Sequence, residues 1–159
     1  MIKRYFQQLQ AKLKVEQPAL ELKQFELFSK MNEAELNIIH ELMFSREYAA
    51  GEKLYAVGYP MELIFFIQTG EIELSENGEL LRSLSAGDVL GFKDLDGSGK
   101  RSHKAIAKSE VKLLALSARD LRELRKNPGQ LAARLNAAIE AELQKLAERE
   151  NGETESELV

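Results

Sequence analysis

The 159-residue chain has no cysteine and no tryptophan, only two histidines and three prolines. Without cysteine it can form no disulfide, thiolate metal site, iron–sulfur cluster or thiol nucleophile, and this composition fits a reducing compartment. The two histidines, His40 and His103, are far apart and form no His-x-His pair, so a clustered-histidine metal centre is excluded. The same shortage, with no Gly-x-Ser-x-Gly elbow anywhere, argues against a Ser-His-Asp hydrolase. Long apolar runs are missing too, the longest being the five residues Leu63 to Ile67. Neither a membrane-spanning helix nor a secretory signal is therefore expected, and the expected location is the cytoplasm.

Charge is nearly balanced, with 22 Lys and Arg against 26 Asp and Glu for a net charge of −4. Its layout is uneven. Residues 1–14 carry Lys3, Arg4, Lys12 and Lys14 with no acid, while residues 148–159 carry five Glu and one Arg. A nucleic-acid binder concentrates positive charge on its folded body, and this chain does not, so DNA binding is not expected.

Periodicity divides the chain. Ile2, Tyr5, Phe6, Leu9 and Leu13 recur at helical spacing beside the basic residues, which predicts a basic amphipathic helix and linker over residues 1–22. We read it as a helix that docks on its own domain or on a partner, in preference to one lying on a membrane surface. Asn32 followed by Glu35 has capping-box spacing, with Leu36, Ile38, Ile39, Leu42 and Met43 as the apolar face of the helix it opens. From Phe44 the period becomes two, and eight of the ten glycines fall between Gly51 and Gly99. Short strands are expected near 44–48, 52–56, 62–68, 70–75, 79–84, 88–90, 102–107 and 110–116, a sandwich or barrel pattern. Ser117 then caps a short helix, and Asn127-Pro128 has the pattern of an N-cap with proline at the first helical position. Leu131, Leu135, Ile139, Leu143 and Leu146 form one stripe of a final helix that must be buried by its own barrel or by a second chain. We expect a homodimer through Leu135, Ile139, Leu143 and Leu146. The acidic residues 148–159 are expected to form an unstructured tail.

Two local motifs imitate ligand sites. Gly97-Ser98-Gly99-Lys100-Arg101 resembles the end of a P-loop, but Asp94 replaces its first glycine and Arg101 its Mg²⁺-binding hydroxyl. Asp94, Asp96 and Ser98, with Gly99 following, copy the first half of an EF-hand loop. Ala105 stands where the closing bidentate Glu belongs, and Arg101 would be a cation facing a cation site, so no metal is expected.

Residues 25–143 together resemble the cyclic nucleotide-binding domain, the sensor module of catabolite activators, protein kinase A regulatory subunits and cyclic nucleotide-gated channels. The resemblance rests on Leu27-Phe28 before a helix, on Gly51-Glu52-Lys53-Leu54, and on the hairpin Leu63 to Leu74. It continues through Gly87-Asp88-Val89-Leu90-Gly91-Phe92, Arg101-Ser102 and Leu113 to Leu116. It implies a mostly β fold, a double-stranded β-helix (jelly-roll) barrel with N-terminal helices and a long C-terminal helix, spanning residues 23–147.

In that family a cassette of Gly-Asp-x-Phe-Gly-Glu, a short helix and then Arg with a small residue binds the cyclic nucleotide. Amides and the Arg neutralise the phosphate, and the Glu accepts the ribose 2′-hydroxyl. The resemblance therefore implies ligand-binding positions at Gly91, Phe92, Arg101 and Ser102. Phe92 stands in the place of the Glu. Losing one charge-assisted hydrogen bond, worth roughly 1.5–3 kcal/mol, weakens binding about ten- to a hundredfold. The expectation is a stand-alone, non-enzymatic regulatory module without a cofactor, which binds cAMP or cGMP weakly and acts through a protein partner or another ligand. The alternative is a genuine cyclic-nucleotide receptor that uses Arg101 for the phosphate and an atypical ribose contact.

Overall fold

A computed structural model, which describes residues 2–4 and 18–157, explains why the longest apolar run is continuous rather than alternating. Helix α1 (Pro18–Lys23), a 3-10 turn (Glu26–Phe28) and helix α2 (Glu33–Leu42) lead into the strands. The first five are β1 (Phe44–Tyr48), β2 (Lys53–Tyr55), β3 (Leu63–Thr69), β4 (Ile72–Glu76) and β5 (Glu79–Leu84). Next come β6 (Val89–Leu90), helix α3 (Phe92–Asp96), β7 (Lys104–Ala107) and β8 (Val111–Ser117). Helices α4 (Ala118–Lys126) and α5 (Gln130–Glu157) close the chain. All eight expected strands are present.

The strands form two antiparallel four-stranded sheets, β1-β8-β3-β6 and β2-β7-β4-β5. Strands β3 and β8 are central in the first, with Ile64 opposite Leu116 and Phe66 opposite Leu114. Side chains alternate across a strand, so Ile64, Phe66, Leu114 and Leu116 meet the helices. Phe65, Ile67, Leu113 and Ala115 fill the space between the sheets. Both faces of β3 and β8 are covered, and no polar residue can alternate there.

The helices form a second core on the outer face of that sheet. Phe25, Phe28 and Phe66 cluster there, with Phe28 stacked on Phe66 at 5.3 Å and Phe25 edge-on to it at 5.4 Å. The expected capping box is present: Asn32 Oδ1 accepts from Glu35 N at 2.9 Å, and Glu35 Oε1 accepts from Asn32 N at 3.0 Å. Ser117 caps α4 as expected, accepting from Asp120 N at 3.0 Å.

Four expectations are corrected. Leu135 and Ile139, each 1 % exposed, are buried in the chain's own helical core, and Leu143 packs against it. Half of the stripe expected to pair with a second chain is thus covered by this one, while Leu143 and Leu146 stay partly exposed. Asn127 ends α4 instead of capping α5, which begins at Gln130. The acidic stretch expected to be unstructured is helical through Glu157, as the last turns of a 28-residue α5. Residues 18–22, expected to end a leading helix and linker over 1–22, belong to α1 (Pro18–Lys23). The amphipathic face of Tyr5, Phe6, Leu9 and Leu13 lies outside the described residues.

Ion pairs fix α5 along its length. Arg134 pairs with Glu35 of α2, Lys145 with Glu26 of the 3-10 turn at 2.5 Å, and Glu150 with Lys93 of α3. The third contact brings the end of α5 over the segment between β6 and β7, where the resemblance places a ligand.

Candidate ligand pocket

The pocket is built around a sharp bend. Gly91, between β6 and α3, has φ of +124°, a conformation open to glycine but costly for other residues. A Cβ at this position would lie 2.7 Å from Met61 Cε and 3.2 Å from Arg101 Nη1. The bend turns the chain from β6 directly into α3 and so decides which way Phe92, its first residue, points.

Phe92 points into the helical core. It is 3 % exposed and sits edge-on to Phe66 with ring centroids 6.4 Å apart. Its neighbour Leu90 belongs to the other core, between the sheets. Phe92 therefore contributes packing between barrel and helices, and it also forms part of the pocket wall.

Arg101 is 4 % exposed and is held inside the barrel. Its Nη2 donates to the Leu63 carbonyl at 2.5 Å. Its guanidinium carbon lies 4.0 Å from the centre of the Tyr55 ring and 5.3 Å from that of Phe65. Such π faces attract a desolvated cation. Nε and Nη1 are buried without a hydrogen-bond partner among the described residues. Burial pulls the Arg101 pKa down, against the opposing influence of Tyr55 and Asp94. The same burial pushes the Tyr55 phenol up to about 12. The Arg101 backbone is pinned as well, donating to Tyr59 O at 2.7 Å and accepting from Gly58 N at 2.8 Å.

Ser102 has a different partner. Its hydroxyl donates to Asp94 Oδ1 at 2.7 Å, and its backbone N–H donates to Asp94 Oδ2 at 3.3 Å. His103 Nδ1 lies 2.9 Å from the same hydroxyl. A hydroxyl has one proton. Once that proton is given to Asp94, His103 Nδ1–H is left as the donor to Ser102 Oγ.

The cavity between β6, α3, the start of β7 and the end of α5 has a volume of about 90 Å³. Tyr55, Asp94, Ser102 and His103 line one side of it, and Leu146 and Glu150 of α5 close the other. Arg101 is not among the described residues that line it. Of the residues expected to bind ligand, Gly91, Phe92 and Ser102 border the cavity, and Arg101 lies behind its wall. Of the calcium-loop imitators, Asp94 is engaged with Ser102, Asp96 closes α3, and Ser98 Oγ accepts from Lys100 N at 3.2 Å. Among the described residues no group of His, Asp and Glu is placed to hold a metal.

Tyr55, His103, Leu146 and Glu150 were not foreseen in the pocket. A signal existed for Tyr55, which directly follows the Gly-Glu-x-aliphatic turn. His103 directly follows Ser102. Nothing local marks Leu146 or Glu150, which reach the pocket only because α5 folds back across α3.

Two four-stranded antiparallel sheets flanked by helices, with a short glycine-hinged helix beside the cavity, define a jelly-roll sensor domain. The family model described as the cyclic nucleotide-binding domain matches residues 45–127, more than half of the chain, and the protein belongs to that family. A protein of Rhodopseudomonas palustris described as a candidate potassium channel is 28% identical over 118 residues, 72% of this chain. The chain spans only 28% of that relative's length. The fold is also similar to the regulatory domain of Toxoplasma gondii protein kinase A solved with cAMP. That match has a TM-score of 0.72 and 14% identity, covering 87% of this chain and 51% of that one. A regulatory subunit of a cAMP-independent protein kinase A from Trypanosoma brucei matches with a TM-score of 0.71 and 16% identity, covering 94% of this chain and 51% of that one. At these identities the two structures establish the fold alone. No helix among the described residues is long and apolar enough to cross a membrane.

Proposed function

We propose that the protein is a non-enzymatic regulatory module of the cyclic nucleotide-binding family that does not bind cAMP or cGMP tightly and signals through a protein partner. The observation that carries this reading is the placement of Arg101, the one strong cation at the family's phosphate position. It is committed to the Leu63 carbonyl and stacked on Tyr55, behind the wall of the cavity. Two further features support it. Phe92, at the place of the ribose-binding carboxylate, is spent on core packing. The cavity of about 90 Å³ is well below the roughly 300 Å³ at which small-molecule pockets begin.

Fold alone does not choose between ligand-dependent and ligand-independent members, since similar structures include a cAMP-bound regulatory domain and a subunit of a cAMP-independent kinase. In our reading the module works in the cytoplasm, consistent with the absence of cysteine. Its partner is a different protein in our reading, because Leu135 and Ile139, half of the α5 stripe that would serve a homodimer, are buried within the chain. Calorimetric titration of the full chain with cAMP and with cGMP should give no saturable heat up to about 1 mM nucleotide, an affinity of only about 4 kcal/mol. Saturation in the low micromolar range would overturn the reading.

One observation favours a second reading, that of a true receptor. Arg101 Nε and Nη1 are buried donors without acceptors, and an uncompensated buried cation is relieved by an anion. If that relief comes from a nucleotide phosphate, the titration above saturates and Arg101→Ala abolishes it.

A further inference from the structure

We propose that Asp94 is the pocket's built-in anion: its carboxylate occupies the Ser102 donors that a ligand phosphate would need, and so sets the pocket against anionic ligands. The inference rests on, and deepens, the reading that cAMP and cGMP do not bind tightly.

The geometry is two-pronged. One carboxylate oxygen takes the Ser102 hydroxyl at 2.7 Å and the other faces the Ser102 backbone N–H at 3.3 Å. A phosphate would use these two donors in the same way, one oxygen to each. The single hydroxyl proton is spent on Asp94, with His103 Nδ1 2.9 Å from the same oxygen, so Ser102 keeps no proton for an incoming anion. Asp94 also supplies negative charge to this corner, felt by both Arg101 and Tyr55. A phosphate entering beside it would place a second anion on the same donors, at a distance where like charges repel strongly in a low dielectric. Lys93, one residue before Asp94, is paired with Glu150 of α5. Of the two flexible cations that line the cavity, Arg82 and Lys93, the second is thus engaged with the helix that closes it.

An anion must therefore displace Asp94 before it can bind. A competing internal contact lowers apparent affinity by the fraction of time the site is free. For charge-assisted hydrogen bonds this is about ten- to a hundredfold. Asp94→Ser removes the carboxylate and leaves the Ser102 donors open. Asp94→Asn keeps shape and one acceptor oxygen while removing the charge, and it serves where the shorter side chain impairs folding.

The test uses the full chain, ¹⁵N-labelled, titrated with cAMP and separately with inorganic phosphate, following the Ser102 amide resonance. Thermal melts by circular dichroism establish that each variant is folded. In the wild type the Ser102 amide should stay unmoved by either probe. In Asp94→Ser it should shift and saturate at concentrations about ten- to a hundredfold lower than any wild-type response, with Asp94→Asn intermediate. A response to cAMP and phosphate alike assigns a general anion site, and a response to cAMP alone assigns a nucleotide site; both support the proposal. Folded variants whose Ser102 amide responds no better than the wild type overturn it, while leaving the weak-binding reading intact. Tight wild-type binding of cAMP overturns that reading instead, and the ratio of variant to wild-type affinity still decides the role of Asp94.

Discussion

The guanidinium carbon of Arg101 stands 4.0 Å above the Tyr55 ring, so the buried charge is held by a π face and one carbonyl without a counter-ion in hydrogen-bond contact. Burial raises the Tyr55 pKa to about 12, with Arg101 opposing the rise and Asp94 adding to it. Ultraviolet titration of tyrosinate should show one phenol ionising at about 12, and Tyr55→Phe should remove that step. The sign for stability follows. A phenol whose pKa is higher folded than unfolded contributes fully below its unfolded value of about 10. The contribution is lost as pH rises through the folded value. Wild-type stability should therefore fall between about pH 10 and 12 by more than that of Tyr55→Phe. Equal losses would place Tyr55 in solvent.

Arg101 brings two unpartnered donors into the barrel. Replacing a buried charge by an apolar side chain of similar length is often neutral or stabilising. Arg101→Met should accordingly unfold in urea within about 1 kcal/mol of the wild type, whereas Arg101→Ala, which leaves a void between Tyr55 and Phe65, should lose about 2–4 kcal/mol. A large loss in Arg101→Met would mean that the guanidinium has an anionic partner in solution.

Phe92 lies edge-on to Phe66 in the helical core, which makes it a stability residue. Phe92→Ala should cost about 3–5 kcal/mol in urea denaturation. Phe92→Glu, which restores the family's carboxylate on paper, should cost at least as much, because it puts an unpaired charge among apolar side chains. A Phe92→Glu protein that is as stable as the wild type and binds cAMP would show that the side chain turns toward the cavity.

At Gly70, between β3 and β4, a Cβ would lie 2.3 Å from the Glu110 carbonyl oxygen and 2.9 Å from Val111 Cα, with φ at +95°. Both obstacles are backbone and cannot rotate away. Gly70→Ala should exceed the roughly 1–3 kcal/mol of the unfavourable backbone conformation alone, read as a shift of the urea midpoint. A neutral Gly70→Ala would contradict the close approach of the β3–β4 turn to β8.

Glu35 joins the capping box to α5. Its pKa is held below the ordinary carboxylate range first by the Asn32 backbone N–H and then by Arg134, while burial opposes them. A depressed folded pKa contributes stability above the unfolded value and loses it as pH falls through the folded one. Glu35→Gln should be less stable than the wild type at neutral pH, with the gap in melting temperature closing below about pH 4. A gap independent of pH would show that the carboxylate charge has no part in holding α2 to α5.

Much of the fold is legible from short-range signals. The alternation from Phe44 onward locates the strands, Asn32 with Glu35 and Ser117 with Asp120 mark two helix starts, and the ordered motifs from Gly51 to Leu116 point to the family. These signals act within a few residues, through strand pleat and capping, and survive in a single sequence. Asn127-Pro128 misled because the same residues suit the end of one helix and the start of the next. The acidic stretch after Glu148 misled for a different reason. Its composition suggests a solvated tail, but it continues α5, and Glu150 finds Lys93.

The site was legible as a set of positions and illegible as an arrangement. The sequence by itself, through its resemblance to the family, implied that Gly91, Phe92, Arg101 and Ser102 belong to one cassette, with Phe92 in the place of a carboxylate. Only the tertiary structure decided that Phe92 packs on Phe66, that Arg101 withdraws between Tyr55 and Phe65, and that Asp94 takes the Ser102 donors. It also decided that Leu135 and Ile139 serve this chain's own core. The reason is physical. Periodicity, caps and turns are set by the residues on either side, but the partner that a buried charge or ring finds depends on elements brought together from far along the chain.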